Sequence, residues 1–345
     1  MRPLLQDRLQ SNLSRRDALR FFGLAGAAVA LSPSLLRAAG TAPAAAPVPT
    51  LGGAQPGFYR FNIGEFEALA LNDGGIAPAT VESPFGVGEP REKVAEPLHD
   101  AFLATDKVRI PFNVLLVRIG SELVMVDTGC GGLFGPAGGR LVGNLAAAGV
   151  KPEQITAIFV SHLHGDHFGG LLDANKEPVF KNARLFIHRT EFAFWNGASP
   201  DLSGLNMPDS VKKDFITGAQ SYLTAFKGKW QQVTGGEKII DGLEVVEAFG
   251  HTPGHTALLF SSGSDQLLHF VDIAHHHAIS FAHPEWILAF DAQPPVAIAT
   301  RKRLFDRAAA DRLRVFGAHM PYPALGHVRS TNGRYEYVVE PLFLA

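Results

Sequence analysis

Three imidazoles and a carboxylate fall within six residues at His162-Leu163-His164-Gly165-Asp166-His167. Imidazole nitrogen suits zinc and its first-row neighbours, and a carboxylate adds an oxygen donor. The segment leaves an apolar run, 155–160, through Ser161, so it stands just past the end of a buried strand. Alternate side chains of an extended chain share a face. His162 and His164 can therefore reach one ion while Asp166 and His167 turn toward a second. An isolated histidine is usually a core or surface residue, but four ligating side chains at this spacing point to metal chemistry. The chain has 14 histidines in all, and a second run stands at His275-His276-His277. Its one cysteine, Cys130, excludes an intrachain disulfide framework and any cysteine-rich zinc module, and reads as a small buried thiol.

The elements that must position these groups follow from short apolar runs separated by turn residues. Strands are expected at 58–62 and 66–71, the second stopped by Asn72-Asp73-Gly74-Gly75, with a long loop over 76–107. A hairpin is expected from 114–119 and 123–126, then a short helix at 141–148 ended by Gly149. Apolar residues at Val211, Phe215, Ala219, Tyr222 and Phe226 have a near-helical spacing, so 209–226 is an amphipathic helix. Further strands are expected at 243–249, 257–260 and 267–271, then a helix over 301–314 capped by Thr300 and a closing strand at 315–318. Strands and helices are mixed throughout, an α/β pattern that suits two sheets covered by helices.

The His162–His167 segment resembles the signature of the metallo-β-lactamase-fold hydrolases, and the rest of that pattern follows in order. Asp127-Thr128-Gly129 is similar to its early Asp-Thr-Gly element. Gly250-His251-Thr252-Pro253-Gly254-His255-Thr256 resembles its next metal motif. Asp272 ends an apolar run where the family places a bridging carboxylate, and His319 stands in the place of its last ligand. The resemblance implies an αββα sandwich of two mixed sheets over 47–345. It implies two divalent metal ions, zinc by default with manganese, cobalt or iron as alternatives. His162, His164 and His251 would hold one ion, Asp166, His167 and His319 the other, and Asp272 would bridge them. A metal-bridging hydroxide would be the nucleophile. Asp127 would orient a ligand histidine from behind, and His255 and His327 would be structural.

Within that family the similarity is to methyl parathion hydrolase and related lactonases. It rests on the stretch 123–136, on Phe194-Trp195, on 250–256 and on the ending Ala318-His319-Met320-Pro321-Tyr322-Pro323. It implies a hydrolase of lactones, aryl esters and organophosphate triesters, with Phe134, Trp195 and Phe215 around the leaving group. One departure stands at His275, where lactonases of this fold often carry a tyrosine near the substrate carbonyl. A histidine there can hydrogen-bond that oxygen or protonate a leaving group, so His275 joins Asp166 and Asp272 as an expected catalytic residue and favours lactones or aryl esters. Alternatives on the same fold are a mononuclear iron oxygenase of the persulfide-dioxygenase type and a ribonuclease-Z-like phosphodiesterase; a non-catalytic metal or ligand binder is a third. Asp272 and His319 together favour a two-metal hydrolase. A homodimer is expected by analogy only.

Residues 1–46 read as an export segment rather than as fold. A basic start is followed by an apolar stretch of 11 residues from Phe21 to Leu31, too short for a stable membrane anchor, and then by small residues. Ser14-Arg15-Arg16-Asp17-Ala18-Leu19-Arg20 resembles a twin-arginine signal, departing from it at Ala18. The expected partner is the twin-arginine export machinery, and the expected place is the periplasm or outside the cell. Pro43, Pro47 and Pro49 mark a linker. Over the whole chain 31 basic residues face 33 acidic ones, and 1–46 carries six basic and two acidic, which leaves the remainder at −6. No basic excess is present to grip phosphate backbones, which speaks against a nucleic-acid partner.

Overall fold

The computed structural model describes residues 57–80 and 84–342. The expected export segment, the linker prolines and the last three residues lie outside them. Among the described residues fourteen strands form two seven-stranded sheets. The first holds β1 (Phe58–Ile63), β2 (Phe66–Thr80), β3 (Lys107–Ile119), β4 (Glu122–Val126), β5 (Ala157–Val160), β6 (Arg184–His188) and β7 (Trp230–Val233). The second holds β8 (Lys238–Ile240), β9 (Leu243–Glu247), β10 (Thr256–Ser262), β11 (Asp265–His269), β12 (Arg314–Phe316), β13 (Leu325–Thr331) and β14 (Arg334–Val339). In both sheets the spatial order is the chain order. β1 to β4 pair antiparallel and β4 to β7 parallel, whereas in the second sheet only the β11–β12 pair is parallel.

The central strands are apolar on both faces because both faces are covered. Along β3, Leu115 and Val117 join β5's Ala157 and Phe159 in the core shared with Leu243, Val245, Leu258, Phe260 and Phe316 of the second sheet. Their neighbours Val114, Leu116, Ile158 and Val160 face the other way. There they pack under α2 (Leu141–Ala147) and α5 (Asp209–Ala225), which bury Leu141, Leu145, Ala219 and Leu223. On the second sheet α7 (Pro294–Ala310) buries Leu304, Phe305 and Ala308. The fold is the expected αββα arrangement of two mixed sheets flanked by helices.

Several boundaries differ from expectation. β2 does not stop at Asn72-Asp73-Gly74-Gly75; a bulge between Asn72 and Gly74 lets it continue to Thr80. The expected loop 76–107 contains α1 (Arg91–Asp100), which buries Val94, Pro97 and Leu98. Thr300 is not a cap: α7 begins at Pro294, and the Thr300 hydroxyl donates to the Phe249 carbonyl from inside it. Proline at the first helical positions suits a helix start, since its missing N–H has no intrahelical partner there. Among the described residues no helix is long and apolar enough to cross a membrane.

Candidate metal centre

The candidate residues leave the carboxyl ends of strands from both sheets, the usual place for a site in α/β architectures. Asp127 follows β4, His162 and His164 follow β5, Asp272 follows β11, and His319 follows β12. Asp166 and His167 sit on the one-turn helix α3 (Gly165–Phe168). His251 lies between β9 and β10. Two residues at these strand exits hold left-handed backbone, Asp127 at φ 63° and Val271 at φ 51°. That conformation is uncommon for any side-chain-bearing residue and strained for a β-branched one, and such strain gathers at functional sites.

All seven expected ligand side chains converge. Three groups have ligating atoms within 4.8 Å of one another: His162, His164 and His251; His162, His167 and Asp272; and Asp166, His167 and His319. Asp272 Oδ2 stands at the middle. It is 3.1 Å from His319 Nε2, 3.3 Å from both His167 Nε2 and His251 Nε2, and 3.6 Å from His162 Nε2. His164 Nδ1 lies 2.9 Å from His251 Nε2. A fourth group adds His275, whose Nε2 is 3.0 Å from Asp272 Oδ2.

Whether a metal fits can be judged from the ring nitrogens. The Nδ1 of His167 donates to Asp127 Oδ2 at 2.8 Å, that of His251 to Asp291 Oδ1 at 3.0 Å, and that of His319 to the Pro111 carbonyl at 2.8 Å. Ser161 Oγ donates to Asp127 and lies 3.0 Å from His162 Nδ1, so it accepts from that ring. These outer bonds assign the tautomer and leave four Nε2 lone pairs turned inward. His162 Nε2, His164 Nε2, His167 Nε2 and Asp272 Oδ1 are buried without a hydrogen-bond partner among the described residues. Buried polar atoms are rarely left unpaired, so this donor set fits cations.

Burial, reinforced by neighbouring imidazoles, pushes His162, His164 and His251 well below the ordinary imidazole value. Neutral rings are what a metal requires. For His167 burial acts the same way, but Asp272, Asp166 and Asp127 outweigh it and hold the ring well above its usual range. Burial would raise Asp272, yet His167, His319 and His275 outweigh it and hold its carboxyl well below the usual value.

The expected pocket residues take different places. Phe215 lies on α5 with its ring 5.1 Å from that of His164. Phe134 packs edge-on against Phe112, which in turn meets His319. Trp195 ends α4 (Arg189–Trp195), is fully buried, and meets His164 edge-on at 6.2 Å. His275 stacks on His319 at 4.8 Å. His255 donates from Nδ1 to Ala248 and accepts from the Asp272 amide, which ties the strand exit in place. His327 lies in β13, where its Nδ1 meets the Leu313 carbonyl. Four buried groups had no mark in the sequence. Ser161 and Asp291 orient the His162 and His251 rings, and Glu191 bonds both histidine-bearing loops. Asp73 accepts from the Cys130 and Leu141 amides. Asp73 stood in plain view within Asn-Asp-Gly-Gly, a turn pattern that gives no hint of a long-range anchor.

The chain belongs to the metallo-beta-lactamase superfamily, whose model matches residues 110–319. It is similar in structure to AidC, a dizinc quorum-quenching lactonase solved with a product, N-hexanoyl-L-homoserine. The TM-score is 0.79 at 31% identity, over 84% of this chain and 99% of that one. The hydrolase AbOPH of the beta-lactamase superfamily superposes with a TM-score of 0.76 at 27% identity, over 84% of this chain and all of that one. An N-acyl homoserine lactonase of Bacillus cereus is 25% identical over 180 residues, 52% of this chain. The match spans 62% of that lactonase's length.

Proposed function

We propose that this chain is a metal-dependent hydrolase of lactones and aryl esters, with phosphotriesters as weaker substrates. The observation that carries the reading is the convergence of seven His and Asp side chains, with inward lone pairs, on one buried point. Similarity to AidC and to the Bacillus cereus lactonase supports the lactone part. The resemblance of 123–136 and 318–323 to methyl parathion hydrolase supports the phosphotriester part.

Two divalent cations, zinc by default, would supply Lewis acidity and a water acidified to near neutral pH. His162, His164 and His251 would hold one, Asp166, His167 and His319 the other, with Asp272 between them. Asp127 and Asp291 keep the protons of His167 and His251 on Nδ1, facing away from the substrate. Phe215 and Phe134 border the apolar part of the ester, with the fully buried Trp195 behind them. His275 takes up the proton released by the attacking water and returns it to the leaving alkoxide of a lactone, while a nitrophenolate-type group leaves unaided. The grouping of His275 with His251 and Asp272 favours a second role for it as an additional ligand.

The test is a paired assay of metal-quantified protein on an acyl homoserine lactone and methyl paraoxon. Two metals per chain with lactone turnover well above phosphotriester turnover is the expected result. A single bound iron with neither turnover would transfer the chain to the oxygenase class. His275→Ile is expected to lower lactone turnover and spare the phosphotriester; a loss of bound metal would assign it the ligand role instead.

The pattern around Arg15 and Arg16 further supports export by the twin-arginine route. Paired Arg15→Lys and Arg16→Lys replacements are expected to hold the precursor in the cytoplasm. Unimpaired export would refute that route.

A further inference from the structure

Glu191 stands in the first turn of α4, fully buried, and is no part of the expected ligand set. Its Oε1 accepts from the Leu163 amide at 2.9 Å and the Trp195 indole at 2.7 Å. Its Oε2 accepts from the Thr252 hydroxyl at 2.7 Å and the Gly254 amide at 3.0 Å. A buried carboxylate persists only when hydrogen-bonded, and here four donors do it. Their placement is specific. Leu163 lies between His162 and His164, Thr252 adjoins His251, and the Trp195 ring meets the His164 ring. One carboxylate thus holds the loop from the first sheet, the loop from the second and the wall behind them. Gly254 makes the approach possible, since a Cβ there would stand 2.1 Å from the Glu191 backbone nitrogen.

We infer that Glu191 is a positioning residue that sets the spacing of His162, His164 and His251, and through it the metal affinity of that cluster, without touching the ion. The inference rests on the metal reading proposed above. In Glu191→Gln one oxygen becomes an amide NH2, which faces donors instead of accepting from them. The Thr252 hydroxyl can turn to accept, but an amide N–H then loses its partner.

The experiment is zinc titration of the full chain against a chromophoric chelator in two backgrounds. His319→Ala disables the cluster of Asp166 and His167, so it reads the three-histidine cluster. His164→Ala does the reverse. Glu191→Gln is expected to weaken zinc about tenfold or more in the first background and to leave the second unchanged. Equal weakening in both would make Glu191 a general support of the fold and overturn the inference, as would no change in either. Should Glu191→Gln not fold, Trp195→Phe removes a single donor and must show the same asymmetry. A parent chain that binds no zinc would overturn the metal reading itself, a result distinct from parent binding that Glu191→Gln leaves intact.

Discussion

Asp127 and Asp291 perform the same task on opposite sides of the centre, each accepting from the Nδ1 of one inward-facing histidine. They differ in what else depends on them. Asp127 also takes the Ser161 amide and hydroxyl, both neutral. Asp291 also takes the buried guanidinium of Arg301, which among the described residues otherwise reaches only the carbonyls of Ile273, Pro284 and Trp286. Asp127→Asn is therefore expected to lower metal affinity about 10- to 100-fold at the His167 cluster, measured by chelator competition, with a smaller effect on unfolding. Asp291→Asn is expected to cost about 3 kcal/mol of stability in urea unfolding as well, because it leaves a buried cation without its counter-charge. Equal stability loss in the two variants would contradict that distinction. The converging His and Asp side chains were legible in the sequence because metal chemistry confines candidate ligands to a few residue types in tight local spacing. Asp291 was not, because its partners are 40 residues upstream and 10 downstream and the fold alone brings them together.

Among the elements, the two loops nearest the centre touch closely through backbone as well as through the Asp127–His167 side-chain bond. A Cβ at Gly170 would stand 2.0 Å from the Thr128 carbonyl oxygen, and one at Gly169 would stand 2.2 Å from that of Cys130. The glycines that end the His162–Gly170 segment thus let the turn after β4 lie on the turn after β5. Gly170→Ala is expected to destabilise by about 1–3 kcal/mol through overpacking, read as a lowered urea midpoint, and to weaken metal binding with it. The doubly covered strands were legible because continuous apolar runs of strand length leave few other readings. β2 beyond Leu71 was not, because the bulge turns Asp73 inward onto the Cys130 and Leu141 amides, a contact that no local turn propensity reveals. α1 was hidden by its flanking and internal prolines, Pro90 and Pro97, and by burying only three residues.

For the whole molecule, metal and protons act on one stability. Ligands that bind only the folded chain stabilise it by mass action, so chelation is expected to lower the Tm and zinc to restore it in a concentration-dependent way. A concentration-independent Tm would contradict this. Three residues before Asp272, burial first and the neighbouring His167 second lower the His269 ring to about 3, while its Nδ1 accepts from the Val271 amide. The folded chain keeps this ring neutral and the unfolded chain protonates it. Its contribution is therefore full above pH 6.5 and lost as pH falls toward about 3. His269→Asn, which keeps an acceptor, is expected to flatten the acid limb of the stability curve by about 1.4 kcal/mol per pH unit in that window. The sheets carry one further consequence. The first is built wholly from 58–233 and the second from 238–339, and the join between them runs through an exposed Gly236. During synthesis the first sheet leaves the ribosome with His162, His164, Asp166 and His167 but without His251, Asp272 or His319. Nascent chains are thus barred from bringing the seven side chains together until the turn after β12 has emerged, and any metal loading of the whole set must follow synthesis of the site loops of both sheets.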